Sequence, residues 1–200
     1  MNNVASLQAA DGTAQEILAA ATARFNQYGY RKTTMAEIAH DCGMSAGNLY
    51  RYFDSKADIG AAVCGVWFES LQHALQQAAD MPAPPETRLE SYARTLLQVT
   101  LESCRETPHI QEMIDFLSEE RRDLLMGHLE ASRAIICQII QDGINSGEFA
   151  VTDLDGTACA FQHALVRFQY PPLLMLTTPE QSEREVGPLV RLLVDGLRHR

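Results

Sequence analysis

A chain of 200 residues with 16 Lys and Arg against 26 Asp and Glu carries a formal net charge of −10, which excludes a protein that coats nucleic acid or anionic lipid with its whole surface. At 46% hydrophobic and 21% charged, with 8 Pro and 12 Gly, the composition is that of an ordinary globular chain able to build a sizeable core. The length allows one or two compact units.

Nearly every segment has helical rather than alternating periodicity. Ala14, Ile17, Leu18, Ala21 and Phe25 fall on one face of a first helix, which Thr13 and Glu16 open as a capping box and Gly29 ends. Thr34 and Glu37 repeat the capping pattern before a short helix that closes at Gly43, and Ser45 caps a third helix through Tyr50 to Phe53. A long helix follows from Ser55 to about Ala79, with Ile59, Val63, Val66 and Trp67 as its stripe. The run Asp80-Met81-Pro82-Ala83-Pro84-Pro85 then breaks the chain.

Beyond the break, one helix runs from Pro85 to about Arg105, a shorter one from Pro108 to near Leu117, and a long one from Glu120 to Asn145, stopped by Ser146-Gly147. Asp153 opens the next, which Pro171-Pro172 terminates. The last, from Ser182 to Leu197, aligns Val186, Leu189, Val190, Leu193, Val194 and Leu197, a stripe that needs a partner surface; Pro188 suggests a later start. Ile59 to Phe68, the longest near-apolar run, is well short of the about 18 residues that span a bilayer, and the first twelve residues hold no signal-like segment. Cys42, Cys64, Cys104, Cys137 and Cys159 form no C-x-x-C pair, so neither a disulfide framework nor a zinc knuckle is indicated. These features read as a reduced, cytoplasmic chain with no cofactor and no membrane partner.

Two short capped helices separated by a glycine turn are the helix-turn-helix layout. Residues 24–56 hold Arg24, Arg31, Lys32, Arg51 and Lys56 against Glu37, Asp41 and Asp54, so this stretch is locally basic in an acidic chain. Here F-x-x-x-G-Y-x-x-T-T-x-x-x-I-A, C-G-M-S and G-N-L-Y-x-Y-F-x-S-K stand at the spacing of the tetracycline-repressor (TetR) family, which residues 13 to 60 closely resemble. The resemblance implies an all-α homodimer. An N-terminal three-helix DNA-binding domain, residues 1–55, would be followed by a helical ligand-binding and dimerisation domain, residues 56–200, paired through its last two long helices. It also implies that the C-terminal domain binds an inducing or co-repressing small molecule, and the single reading head per chain points to a palindromic operator, from which a repressor would be released by its ligand.

Thr33 and Thr34 offer hydroxyls and a helix N-terminus to a phosphate, and Thr34 can cap the helix at the same time. Gly47 leaves room for close approach to DNA. In the resemblance Ser45, Ala46 and Asn48 face the groove, Tyr50 and Tyr52 touch phosphate or base methyls, and Arg51 and Lys56 neutralise phosphates; Leu49 and Phe53 are core. An effector pocket would draw on Trp67, Phe68, Tyr92, Met113, Phe116 and Phe168. Cys159 and His163, at i and i+4, admit a metal- or thiol-responsive alternative, although tetrahedral zinc needs three or four ligands. An enzyme is not expected, because no G-x-S-x-G or other catalytic setting occurs. A helical protein-binding adaptor would leave the basic third helix unexplained.

Overall fold

The computed structural model describes residues 12–198, and among them every regular element is a helix. The eleven are α1 (Gly12–Tyr28), α2 (Met35–Asp41), α3 (Ala46–Leu49), α4 (Lys56–Asp80), α5 (Pro85–Glu106), α6 (Ile110–Glu119), α7 (Arg122–Asn145), α8 (Leu154–Ala164), α9 (Val166–Gln169), α10 (Pro171–Leu174) and α11 (Pro179–Leu197). None is long and apolar enough to cross a membrane.

By packing the chain forms two units, one from Met1–Glu69 with Glu106–Leu125 and the other from Ser70–Arg105 with Met126–Arg200. The sequence places a division after residue 55. The packing boundary falls later, and α6 joins the N-terminal helices despite its place in the chain. The core of this first unit gathers Ile17, Ala21 and Phe25 of α1, Ile38 of α2, Leu49 of α3, Phe53, Ile59 of α4, and Phe116 and Leu117 from α6. Leu49 and Phe53 are thus core, as their spacing implied.

The second unit buries Leu71 and Leu75 from the remainder of α4, Leu89, Tyr92, Leu96 and Leu97 of α5, Ile135, Ile136, Ile139 and Ile140 of α7, and Phe161 of α8. Gly143 has no side chain because Phe149 lies where a Cβ would be. The α11 stripe is already spent inside this unit: Val186, Val190, Val194 and Leu197 are buried in the single chain. The expectation that this stripe needs a partner is therefore corrected. The apolar residue left outside is Leu192, 71% exposed, with Leu189 and Leu193 half-buried beside it.

Four of the element boundaries that differ from the sequence reading do so for a local reason. Helix α1 already includes Gly12, so Thr13 lies within it rather than before it. Regular helix in α3 ends at Leu49, and Tyr50 to Phe53 continue as tighter turns through Arg51 N–H to Asn48 O and Tyr52 N–H to Leu49 O. The segment before Pro171 is broken at Leu165, and Pro171 starts α10 instead of merely ending its predecessor, since the first turn of a helix does not need proline's missing N–H. Helix α11 starts earlier than expected, at the Thr178 cap with Pro179 in its first turn, and carries Pro188 inside it with its ring exposed.

Candidate nucleic-acid interface

The reading elements are set by caps and tight turns. Gly29, at φ 89°, takes the left-handed backbone that ends α1, its N–H reaching Phe25 O at 2.9 Å. Thr34 caps α2: its hydroxyl accepts from Glu37 N–H, and the Glu37 carboxylate accepts from the Thr34 N–H at 2.8 Å. Gly43, at φ 64°, turns the chain, and the Ser45 hydroxyl accepts from Asn48 N–H at 3.2 Å to start α3.

Charge in this region is largely committed within the protein. Arg24 pairs with Asp41 at 2.7 Å and Glu37 at 3.4 Å and lies over the Tyr28 ring. Hydrogen bonds from Thr34 hold the Glu37 carboxyl below its ordinary range, and the Arg24 guanidinium does the same for Asp41. Arg31 pairs with Asp115 of α6 at 3.0 Å. Among the described residues, Lys32 and Arg51 are exposed cations without an ion pair.

Of the expected DNA-facing residues, Ser45, Gly47, Tyr50, Arg51 and Tyr52 are exposed together on and just after α3, with Ala46 and Asn48 half-buried among them. Two expectations, for Thr33 and Lys56, are corrected, and Thr34 has the capping role weighed for it. Thr33 is 1% exposed, and its hydroxyl donates to Gly29 O at 2.8 Å, so it offers nothing to a phosphate. Thr34 spends its hydroxyl on the cap, accepting from Glu37 N–H and donating to the Glu37 carboxylate. Lys56 turns inward: Nζ donates to Tyr30 O at 2.9 Å and Arg31 O at 3.3 Å and sits over the Tyr30 ring. Lys32 entered the sequence reading only in the charge balance; its place beside Thr33-Thr34 was the available signal.

The six expected pocket residues do not gather in one unit. Trp67, Phe68, Met113 and Phe116 belong to the first, where Phe116 packs on Tyr30 at 4.7 Å between ring centroids. Tyr92 and Phe168 are buried in the second, Tyr92 donating to Ser132 O at 3.4 Å. A separate open groove in the second unit is lined by Gln98, Leu101, Glu102, Arg105 and Glu183, with none of the six. Cys159 Sγ lies 3.8 and 3.9 Å from the His163 ring nitrogens, but among the described residues no group of three or more His, Cys, Asp and Glu side chains could hold a metal ion.

Residues 85–190 match the family model of the tetracyclin repressor-like C-terminal domain, and residues 17–63 match that of the tetR family of bacterial regulatory proteins. The chain belongs to the TetR family. Across 192 residues it is 26% identical to the HTH-type transcriptional regulator YhgD of Bacillus subtilis, covering 90% of this chain and 94% of that one. It is 29% identical over 157 residues to the HTH-type transcriptional repressor KstR2 of Rhodococcus jostii, covering 72% and 71% respectively. Its fold matches that of a TetR transcription regulator from Haloarcula marismortui with a TM-score of 0.74 at 22% identity, over 94% of this chain and 99% of that one. This TetR-family member is accordingly a helix-turn-helix transcription regulator and not an enzyme.

Proposed function

We propose that this regulator is a repressor that binds a palindromic operator in the cytoplasm as a symmetric dimer and leaves it when a small, largely apolar or aromatic molecule binds its C-terminal helices. The observation that carries the DNA reading is the doubly capped α2 followed by a Ser45-capped α3 whose Ser45, Gly47, Tyr50, Arg51 and Tyr52 face solvent together. Short exposed helices of this kind suit the major groove, and Arg51 with Lys32 supplies uncommitted positive charge for phosphates. One such head covers only a few base pairs, so two heads about 34–36 Å apart, or at a spacing the dimer sets, give useful specificity.

For the dimer, the proposed contact is the outward side of α11 at Leu189, Leu192 and Leu193 with the exposed side of α8 at Ala160 and His163. The repressor assignment follows KstR2, which is named as a repressor. For coupling, α4 is one unbroken helix from Lys56 to Asp80, directly after the reading elements and carrying Trp67 and Phe68.

Selection of duplexes from a randomised library, followed by footprinting of the recovered sequence with heparin as competitor, tests this reading. A two-fold symmetric footprint that survives heparin is expected. Retention of no duplex, or an asymmetric single half-site bound by monomer, overturns it.

A further inference from the structure

Helix α6 reaches the turn between α1 and α2 with a carboxylate. The Glu112 oxygens lie 2.5 and 2.8 Å from where a Cβ on Gly29 would stand, so the group fills space that only glycine leaves. From there Glu112 Oε2 accepts the Arg31 backbone N–H at 2.7 Å, while Oε1 lies 3.5 Å from His109 Nδ1. The same turn is also held by Lys56, which donates to the Tyr30 and Arg31 carbonyls. Beneath it, the Tyr30 ring packs on Phe116, and both crowd Gly60 of α4 so closely that a Cβ there would lie 2.9 Å from Tyr30 and 3.3 Å from Phe116.

This turn leads without slack into the reading elements. Its Gly29 carbonyl takes the Thr33 hydroxyl, and the next residue is the Thr34 cap of α2. Among the described residues no hydrogen bond or ion pair joins Glu112 to Thr34 or α3; the link to them is the Arg31 amide. A carboxylate-to-amide bond is charge-assisted and among the stronger hydrogen bonds, and here it joins residues 81 positions apart in sequence.

Resting on the DNA reading above, we propose that Glu112 is a positioning residue for operator recognition: by occupying the Gly29 side-chain space and holding the Arg31 N–H, it sets where α2 begins and so how α3 meets the groove.

The test compares Glu112→Ala with Glu112→Gln on two labelled duplexes, one recovered by selection on the wild-type protein and one of random sequence, at several salt concentrations. Glu112→Ala is expected to weaken the selected duplex about tenfold, the scale of a lost hydrogen bond to a charged group. The random duplex is expected to change less than twofold, and the salt slope to stay the same, because no phosphate contact is removed. Glu112→Gln keeps an acceptor oxygen and is expected to restore binding to within about threefold. If Glu112→Ala does not yield folded protein, Glu112→Asp, which withdraws the carboxylate by one methylene, takes its place in the comparison. Selected-duplex affinity within twofold of wild type, an equal loss on both duplexes, or no rescue by glutamine overturns the proposal. If the wild-type protein retains no duplex, the DNA reading fails instead.

Discussion

Lys56 Nζ sits 4.5 Å above the Tyr30 ring while donating to the Tyr30 carbonyl at 2.9 Å, so one ammonium holds both the face and the backbone of a single aromatic residue. Lys56→Met keeps the aliphatic stem and removes both attractions. Thermal unfolding should show a loss of about 2–4 kcal/mol, the sum of a charged hydrogen bond and a partly exposed cation–π contact. The salt slope of DNA binding should be unchanged; a slope reduced by about one would instead mean that Lys56 leaves Tyr30 for a phosphate.

Arg51 and Asn48 should separate on a duplex library. Arg51 is exposed and unpaired among the described residues, so Arg51→Ala should weaken all sequences alike and lower the salt slope by about one. Asn48, half-buried in the first and only full turn of α3, should alter which bases are preferred when changed to Ala. Identical uniform losses for the two variants would refute this division.

On α11, neighbouring apolar positions have opposite fates. Val190 is 1% exposed and Leu192 is 71% exposed. Val190→Asp should prevent folding, because a carboxylate would be buried without a partner. Leu192→Asp should give a folded monomer by light scattering and circular dichroism. A Leu192→Asp dimer of unchanged mass would show that the subunits meet elsewhere.

Acid should weaken the fold through His128. Burial pushes its imidazole down to about 4, whereas an unfolded chain takes up the proton near 6.5. The stability it contributes is fully present above about pH 6.5 and declines as pH falls towards 4, by about 3 kcal/mol at most. The unfolding free energy of wild type minus that of His128→Leu should therefore fall as pH falls through that window; a constant difference would contradict the assignment.

What the sequence disclosed follows from the range of the interactions involved. Thr34 with Glu37, Ser45 with Asn48, Gly29 and Gly43 act within a few residues, and the spacing alone was sufficient to place the caps and turns. The inward turn of Lys56 and the membership of α6 in the first unit depend on residues far along the chain, whereas the Thr33 hydroxyl turns back only four residues, to the Gly29 carbonyl. Glu112 stands in no motif, and an acidic residue near a helix start reads as ordinary dipole complementation. The apolar face of α11 was visible as a stripe, but periodicity cannot say whether a helix spends its stripe inside its own subunit or against a second one.

Because α6 supplies Phe116 and Leu117 to a core otherwise built from residues up to Cys64, the DNA-reading unit is discontinuous along the chain. During synthesis its first part emerges well before Glu106–Leu125, a delay on the order of seconds at ordinary translation rates. Through that interval Tyr30 and Gly60 await the ring that packs on them, and a nascent chain stalled at Glu69 holds the reading helices without their completed core. A fragment cut there for grafting onto another protein would inherit the same gap.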